Sequence, residues 1–176
     1  MLATNGCDSA RGTSPIDGGS FLTDPFTTDD TSYTAGRQNG STTGVFIYQF
    51  RITTKYTNAT GLPIQLPACA GASAQPIYTV VYADQLTPQG ITYNPAPPCP
   101  GGTQTITVAP GSTREDTLEV KGPNAFDPVT GQPTNSVVVG RFRLLFAAQT
   151  CTGSGKCVAA PDEQRYSTAF TVRTGS

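Results

Sequence analysis

Two arginines occupy positions suited to recognition, Arg141 and Arg143 in the run Gly-Arg-Phe-Arg-Leu. Alternate residues of a strand point to opposite faces, so both guanidinium groups would share one face, with Phe142 and Leu144 on the other. Arginine and tyrosine are enriched at the energetic centres of protein interfaces. We therefore take Arg141 and Arg143 as candidate partner-binding residues; the alternative is an ordinary solvated face.

Catalytic constellations are hard to assemble from this sequence. It contains no histidine, which excludes Ser-His-Asp and Cys-His catalysis. The adjacent Glu115 and Asp116 would point to opposite faces of a strand, so they cannot act together across a cleft as glycosidase carboxylates do. Asp24, Asp29 and Asp30 form an acidic cluster, but their spacing matches no calcium loop, and Thr-rich turns commonly use Asp as a cap. We predict that the protein is not an enzyme and needs no cofactor, and we leave weak calcium binding at this cluster open.

The charge distribution narrows the class of partner. Eleven Lys and Arg residues nearly balance 12 Asp and Glu residues, and no basic run occurs. Nucleic acids and anionic membrane surfaces are bound through clustered cationic side chains. The predicted partners are therefore other proteins, with no nucleic acid and no small-molecule substrate.

The cysteines indicate an oxidising compartment, because five of them occur without a Cys-x-x-Cys or a Cys/His metal pattern. Cys69 and Cys99 lie in Pro/Gly-rich segments, whereas Cys151 and Cys157 flank the short run Thr-Gly-Ser-Gly-Lys. We predict disulfides Cys69–Cys99 and Cys151–Cys157, although four cysteines can also be paired in other ways.

Cys7 is left without a partner in this scheme. It follows a small residue, Gly6, and precedes a polar spacer, an arrangement that resembles the cleavage region of a bacterial lipoprotein signal. We predict lipid attachment at Cys7, with a free or intermolecular thiol as the alternative. The predicted location is the periplasm or the cell surface, with Cys7 as the candidate membrane anchor.

Strand patterns extend over residues 44–176. Residues 46–56 alternate aromatic or aliphatic with polar side chains, which is the period of a half-buried strand. Further strand patterns, separated by Gly/Pro turns, occupy 63–66, 77–82, 91–93, 104–108, 113–120, 137–148 and 166–172. About seven or eight short strands of this kind predict an all-β antiparallel sandwich.

Residues 1–43 differ in composition, being rich in Gly, Ser, Thr and Asp. Because such a segment cannot build a core of its own, we predict an extended N-terminal arm or tether. It carries isolated apolar residues that a plain spacer does not need. The alternative is that they pack on the chain's own sandwich. Four of them are candidate partner-binding residues: Phe21, Leu22, Phe26 and Tyr33.

Four segments carry a family resemblance: Thr-Asn-Ala-Thr-Gly-Leu-Pro-Ile-Gln-Leu (57–66), Val-Ala-Pro-Gly-Ser-Thr (108–113), Gly-Arg-Phe-Arg-Leu (140–144) and Ser-Thr-Ala-Phe-Thr-Val (167–172). In this order they resemble immunoglobulin-like domains of bacterial envelope proteins and lipoproteins, and more weakly the BsuPI-type proteinase-inhibitor family. Both resemblances imply an immunoglobulin-like sandwich and a binding role, and neither implies a substrate.

The leading prediction is a non-catalytic accessory subunit that braces a larger membrane or envelope assembly. One alternative is a filament or pilus subunit that assembles by strand addition. The other is a small secreted proteinase inhibitor that uses an exposed loop, such as 84–103.

Overall fold

The computed structural model describes residues 24–39, 46–71, 74–84, 99, 101–122 and 139–175. These ranges contain eleven strands and one four-residue helix, α1 (Asp162–Arg165), which confirms the predicted all-β class. The strands are β1 Phe26–Thr28, β2 Ser32–Asn39, β3 Phe46–Thr57, β4 Ile64–Cys69, β5 Tyr78–Tyr82, β6 Thr103–Val108, β7 Thr113–Gly122, β8 Gly140–Phe146, β9 Gln149–Cys151, β10 Cys157–Ala159 and β11 Phe170–Thr174. Within these ranges no helix has the length and apolar character needed to cross a membrane.

Strand β3 organises the larger of two sheets. Its buried Phe50, Ile52 and Tyr56 alternate with exposed Arg51 and Lys55, as the period of two predicts. β7 pairs antiparallel with β3 over ten residues. The other edge of β3 pairs with β1 at one end and with β2 at the other. The sheet order is β1-β3-β2-β11-β8-β5, with β7 also beside β3.

Strand β2 folds this seven-stranded sheet over on itself. Its first half runs parallel to β11, with Tyr33 opposite Val172, and its second half runs antiparallel to β3, with Gly36 opposite Gln49. Rings from the two halves of the sheet therefore meet in the core, and the Phe50 and Phe170 centroids lie 6.2 Å apart. This folding makes the sandwich and closes one of its sides.

Strands β1 and β2 lie in the segment predicted to be an extended arm, and they belong to the larger sheet. Phe26 is fully buried with its ring centroid 4.3 Å from that of Phe146, and Tyr33 stacks on Phe50 at 5.4 Å. Phe26 and Tyr33 are thus core residues rather than partner-binding residues, and the predicted boundary between 43 and 44 cuts through the sheet. The physical reason is that β1 and β2 obtain their ladder hydrogen bonds from β3 and β11, so one aromatic per strand suffices to dock them. The other candidates of the arm, Cys7, Phe21 and Leu22, lie outside the described residues.

The smaller sheet has the order β10-β9-β4-β6 and shares the hydrophobic core through Ile64, Leu66 and Val108. It carries both disulfides. Cys69 at the end of β4 is bonded to Cys99, and Cys151 is bonded to Cys157 across β9 and β10. Both predicted pairings are confirmed, and they indicate an oxidising, extracytoplasmic environment.

Side chains close the second side of the sandwich, where β5 and β7 are the outer strands. Gln75 Nε2 donates to the Thr117 carbonyl at 2.8 Å, and the Tyr78 hydroxyl donates to the Glu119 carbonyl at 3.1 Å. Burial, together with the charge of Glu119, raises the pKa of Tyr78 to about 12. The phenol therefore stays protonated as a donor across the pH range in which the protein would work.

Part of the acidic cluster caps the bend between β1 and β2. The Asp29 carboxylate accepts hydrogen bonds from the Tyr33 hydroxyl at 2.5 Å and the Thr53 amide at 2.9 Å. Asp30 accepts from the amides of Thr31 and Ser32, and the described ranges contain no group of three metal-ligating side chains. Burial alone would raise the pKa of Asp29, but the hydrogen bonds from Tyr33 and Thr53 outweigh it and hold this pKa below its ordinary value.

Replacing the capping carboxylate tests this bend. We expect Asp29→Asn to lower the free energy of unfolding at pH 7 by about 1 kcal/mol, because a charge-assisted acceptor becomes a neutral one at an exposed position. Since the folded pKa is depressed, the contribution of Asp29 is present above the unfolded pKa of about 3.9 and is lost as pH falls through the folded value. Urea unfolding near neutral pH and near pH 3 measures both effects.

The matched control is Asp84→Asn, whose side chain is 84% exposed. It should leave stability and its acid dependence nearly unchanged. If Asp29→Asn loses as much stability on acidification as the wild type does, Asp29 is not the group responsible.

Candidate functional site

The outward face of β8 carries both predicted arginines. Arg141 and Arg143 alternate with core residues such as Phe142, as predicted from the sequence. On the same face, Val139 precedes them with 54% of its surface exposed, and half-buried Leu145 follows. An apolar–Arg–Arg–apolar stripe has the composition of the centre of a protein interface.

The stripe borders a cleft of about 490 Å³ between β8, the residues at the start of β1 and the segment that connects α1 to β11. Its walls combine the two arginines with three carboxylates and one tyrosine. The lining residues are Asp24, Pro25, Phe26, Arg141, Arg143, Asp162, Glu163, Tyr166, Ser167, Thr168 and Ala169.

Helix α1 supplies the acidic wall. Pro161 precedes the helix and Asp162 and Glu163 fill its first turn, where carboxylates interact favourably with the exposed amides. Gln164 turns the other way, is buried, and anchors the turn by donating from Nε2 to the Thr57 carbonyl at 3.2 Å. The short helix thus directs Asp162 and Glu163 to the cleft because Gln164 is held inside.

The electrostatics of the cleft centre on Arg143. Its side chain is half-buried, its Nε atom is shielded from solvent, and it has neither a hydrogen-bond acceptor nor an ion pair among the described residues. By contrast Arg141 is 63% exposed and lies 4.0 Å from Asp84, a pair of the exposed kind that contributes little. A shielded guanidinium donor favours a carboxylate or carbonyl acceptor, because leaving it without one is costly.

Among the hydroxyl groups that line the cleft, that of Ser167 is used in hydrogen bonds within the fold. Ser167 is buried, accepts a hydrogen bond from the Leu144 amide at 2.9 Å and donates one to the Thr168 carbonyl at 2.8 Å. Neither contact is with a general base. The arrangement is therefore suited to holding a ligand of mixed charge by hydrogen bonds and ion pairs.

The structure brings together only part of the set predicted from the sequence. Arg141 and Arg143 share the cleft, and Phe26 lines it although its side chain is fully buried, whereas Tyr33 lies within the core away from it. Sequence reasoning missed Asp24, Asp162 and Glu163 as its acidic partners. The run Pro-Asp-Glu is a helix-start signal, but nothing in it indicates that the turn lies beside β8. Most of loop 84–103, the inhibitory segment in one alternative, falls outside the described ranges.

Comparisons with known proteins add no family. No protein-family model matches the chain, and no curated protein matches it significantly. The resemblance to immunoglobulin-like envelope domains and to BsuPI-type inhibitors therefore stays a prediction.

Proposed function

We propose that this protein is a non-catalytic accessory subunit that binds and braces a larger extracytoplasmic, membrane-associated assembly through the outward face of β8. The observation that carries the proposal is the half-buried Arg143, whose shielded Nε has no acceptor among the described residues. Exposed Val139 lies on the same face, and three carboxylates line the same cleft. A protein surface offers the carboxylates, carbonyls and apolar side chains that such a face can bind.

The mixed charge of the cleft favours a protein over an anionic small molecule. Two arginines face Asp24, Asp162 and Glu163, so an anionic ligand small enough to reach Arg143 would also meet negative charge. An extended protein surface can match both signs with separate side chains. The two disulfides suit work in an oxidising compartment.

The mode of binding follows from the burial of Arg143. A partner carboxylate or carbonyl that binds the accessible part of the half-buried Arg143 guanidinium would complete a hydrogen bond in a partly desolvated site, where such contacts are strongest. Val139 and Leu145 would exclude water at the two ends of the stripe. Arg141 is more exposed, so it would contribute to the association rate more than to affinity.

Co-purification from native cells under mild detergent identifies the partner. We expect the wild-type chain to retain a partner that Arg143→Gln loses, because a buried interface arginine contributes about 2 kcal/mol or more, about 30-fold in Kd. Arg173→Gln is the matched control, since Arg173 lies exposed on β11 of the same sheet and outside the cleft. Equal retention by both variants would refute the assignment of this face, and an unfolded Arg143→Gln would show as a lost thermal transition.

A further inference from the structure

The outer strands of the two sheets differ in how their edges are protected. On β7 the outward carbonyls of Thr117 and Glu119 are capped by Gln75 and Tyr78. On β1 the Phe26 carbonyl accepts from the Thr168 amide, and Thr168 Oγ1 accepts from the Thr28 amide. Such caps prevent another strand from pairing with these edges.

Strand β6 has no comparable protection from the part of the chain that the structure describes. The hydrogen bond from the Ala70 amide to the Gly102 carbonyl shows which residues at this edge bond to β4: Gly102 and every second residue after it. Antiparallel pairs alternate between bonded and non-bonded positions, so Thr103, Thr105 and Thr107 direct their amides and carbonyls away from β4. All three residues are exposed, and in the described part of the chain these outward groups have no hydrogen-bond partner.

The composition of β6 adds to this contrast. Its sequence Thr-Gln-Thr-Ile-Thr-Val contains no charge, no proline and no glycine. β7 by comparison exposes Glu115, Glu119 and Lys121, and β10 at the other end of the smaller sheet has only three residues. Charged side chains and short length are the usual means of blocking an edge, and β6 has neither.

We propose that β6 is a dimerisation edge, on which β6 of a second copy of this chain pairs antiparallel about a two-fold axis at Thr105. In this register Thr105 meets its own symmetry mate and Thr103 meets Thr107 of the other copy. The outward amides and carbonyls of both copies are then satisfied, and the two smaller sheets become one sheet of eight strands.

A second copy is the occupant favoured by the residues at this edge. Thr105 on the axis meets its own copy, where a charged residue would repel itself, and Thr103 meets Thr107, so the pairs on this face are all threonine with threonine, which is favourable across strands. The chain already uses such pairs in its larger sheet, where the hydroxyl oxygens of Thr57 and Thr113 lie 2.9 Å apart. The second strand would also lie beside a groove of about 330 Å³ that exposes part of Ile106.

Analytical ultracentrifugation of the full chain tests the proposal, with Cys7→Ser in every variant so that an intermolecular disulfide cannot imitate the contact. We expect a reversible monomer–dimer equilibrium with a Kd below about 500 µM. The affinity is expected to be modest because a single strand pair is a small interface. Thr105→Lys should weaken it at least about tenfold, because two like charges meet at the axis. Thr117→Lys is the matched control, since it places the same charge on the capped edge of β7.

Charge complementation separates a specific contact from a folding defect. An equimolar mixture of Thr105→Lys and Thr105→Glu should form a mixed dimer at least as tight as the wild type, although each variant alone dimerises more weakly than the wild type. The proposal would be overturned by a wild-type chain that stays monomeric at every concentration tested, or by a Thr105→Lys variant that dimerises like the wild type. A monomeric chain whose β6 pairs only with a peptide from another protein would overturn it as well. The residues tested lie outside the β8 cleft, so this outcome is independent of the proposed function.

Discussion

Phe26→Ala is expected to lower the free energy of unfolding by about 3–5 kcal/mol, which is a large share of the about 5–15 kcal/mol that holds a domain together. Phe26 is fully buried and packs against Tyr56 and Phe146, with ring centroids 5.4 and 4.3 Å away. Truncation leaves a cavity between β3 and β8 that rigid strands cannot fill. Chemical denaturation at constant pH measures the loss.

Thr27→Ala is the control for this change, because Thr27 lies on the same short strand but is only half-buried. It should cost less than about 1 kcal/mol. A Phe26→Ala variant as stable as Thr27→Ala would mean that β1 is a dispensable arm rather than a strand of the sandwich.

Removing the Cys69–Cys99 bridge with Cys69→Ser and Cys99→Ser is expected to cost about 3.6 kcal/mol. The bridge closes a segment with a sequence separation of 30, and the cross-link restricts the unfolded chain more as this loop lengthens. The corresponding double change at Cys151 and Cys157, with a separation of 6, should cost only about 2.2 kcal/mol. Denaturation of the two double variants compares the effects directly.

The single replacements Cys69→Ser and Cys99→Ser serve as controls, because each breaks the same bridge and both should match the double variant in stability. Equal losses at the long and the short loop would contradict the account based on chain entropy. They would show that native contacts made by the bridged loops dominate instead.

The alternating strands were predictable from the sequence, because each exposes one face and buries the other. Phe50, Ile52 and Tyr56 of β3, and Leu118 and Val120 of β7, are buried where the period of two places them. The disulfide pairing was also predictable, since short and Gly/Pro-rich loops limit which cysteines can meet.

Strands β1 and β2 were not predictable from their own residues. The segment 26–39 is polar in composition, and its stability as two strands comes from partners far along the chain, Thr54 for Thr28 and Val172 for Tyr33. Composition indicates whether a segment can fold alone. It does not indicate whether the segment will pair with the edge strand of a sheet formed by the rest of the chain. The parallel pairing of β2 with β11 has no local sequence signal at all.

Only the basic side chains of the candidate site were predictable from the sequence. Arg141 and Arg143 follow from alternation within one strand, but Asp162 and Glu163 reach the same cleft only through the way α1 is anchored by Gln164. The open edge of β6 likewise depends on its position in the smaller sheet. Its Thr-rich run predicts a strand, and only the sheet order shows that one side of it has no neighbouring strand among the described residues.

The central claim, that β8 binds a protein partner through Arg143, is tested most directly by measuring the Kd of the purified chain for its co-purified partner. Isothermal titration would compare the wild type, Arg143→Gln and the control Arg173→Gln at one salt concentration. The account predicts that Arg143→Gln raises Kd about 30-fold or more, while Arg173→Gln changes it less than about threefold. A partner that binds Arg143→Gln as tightly as it binds the wild type would contradict the account.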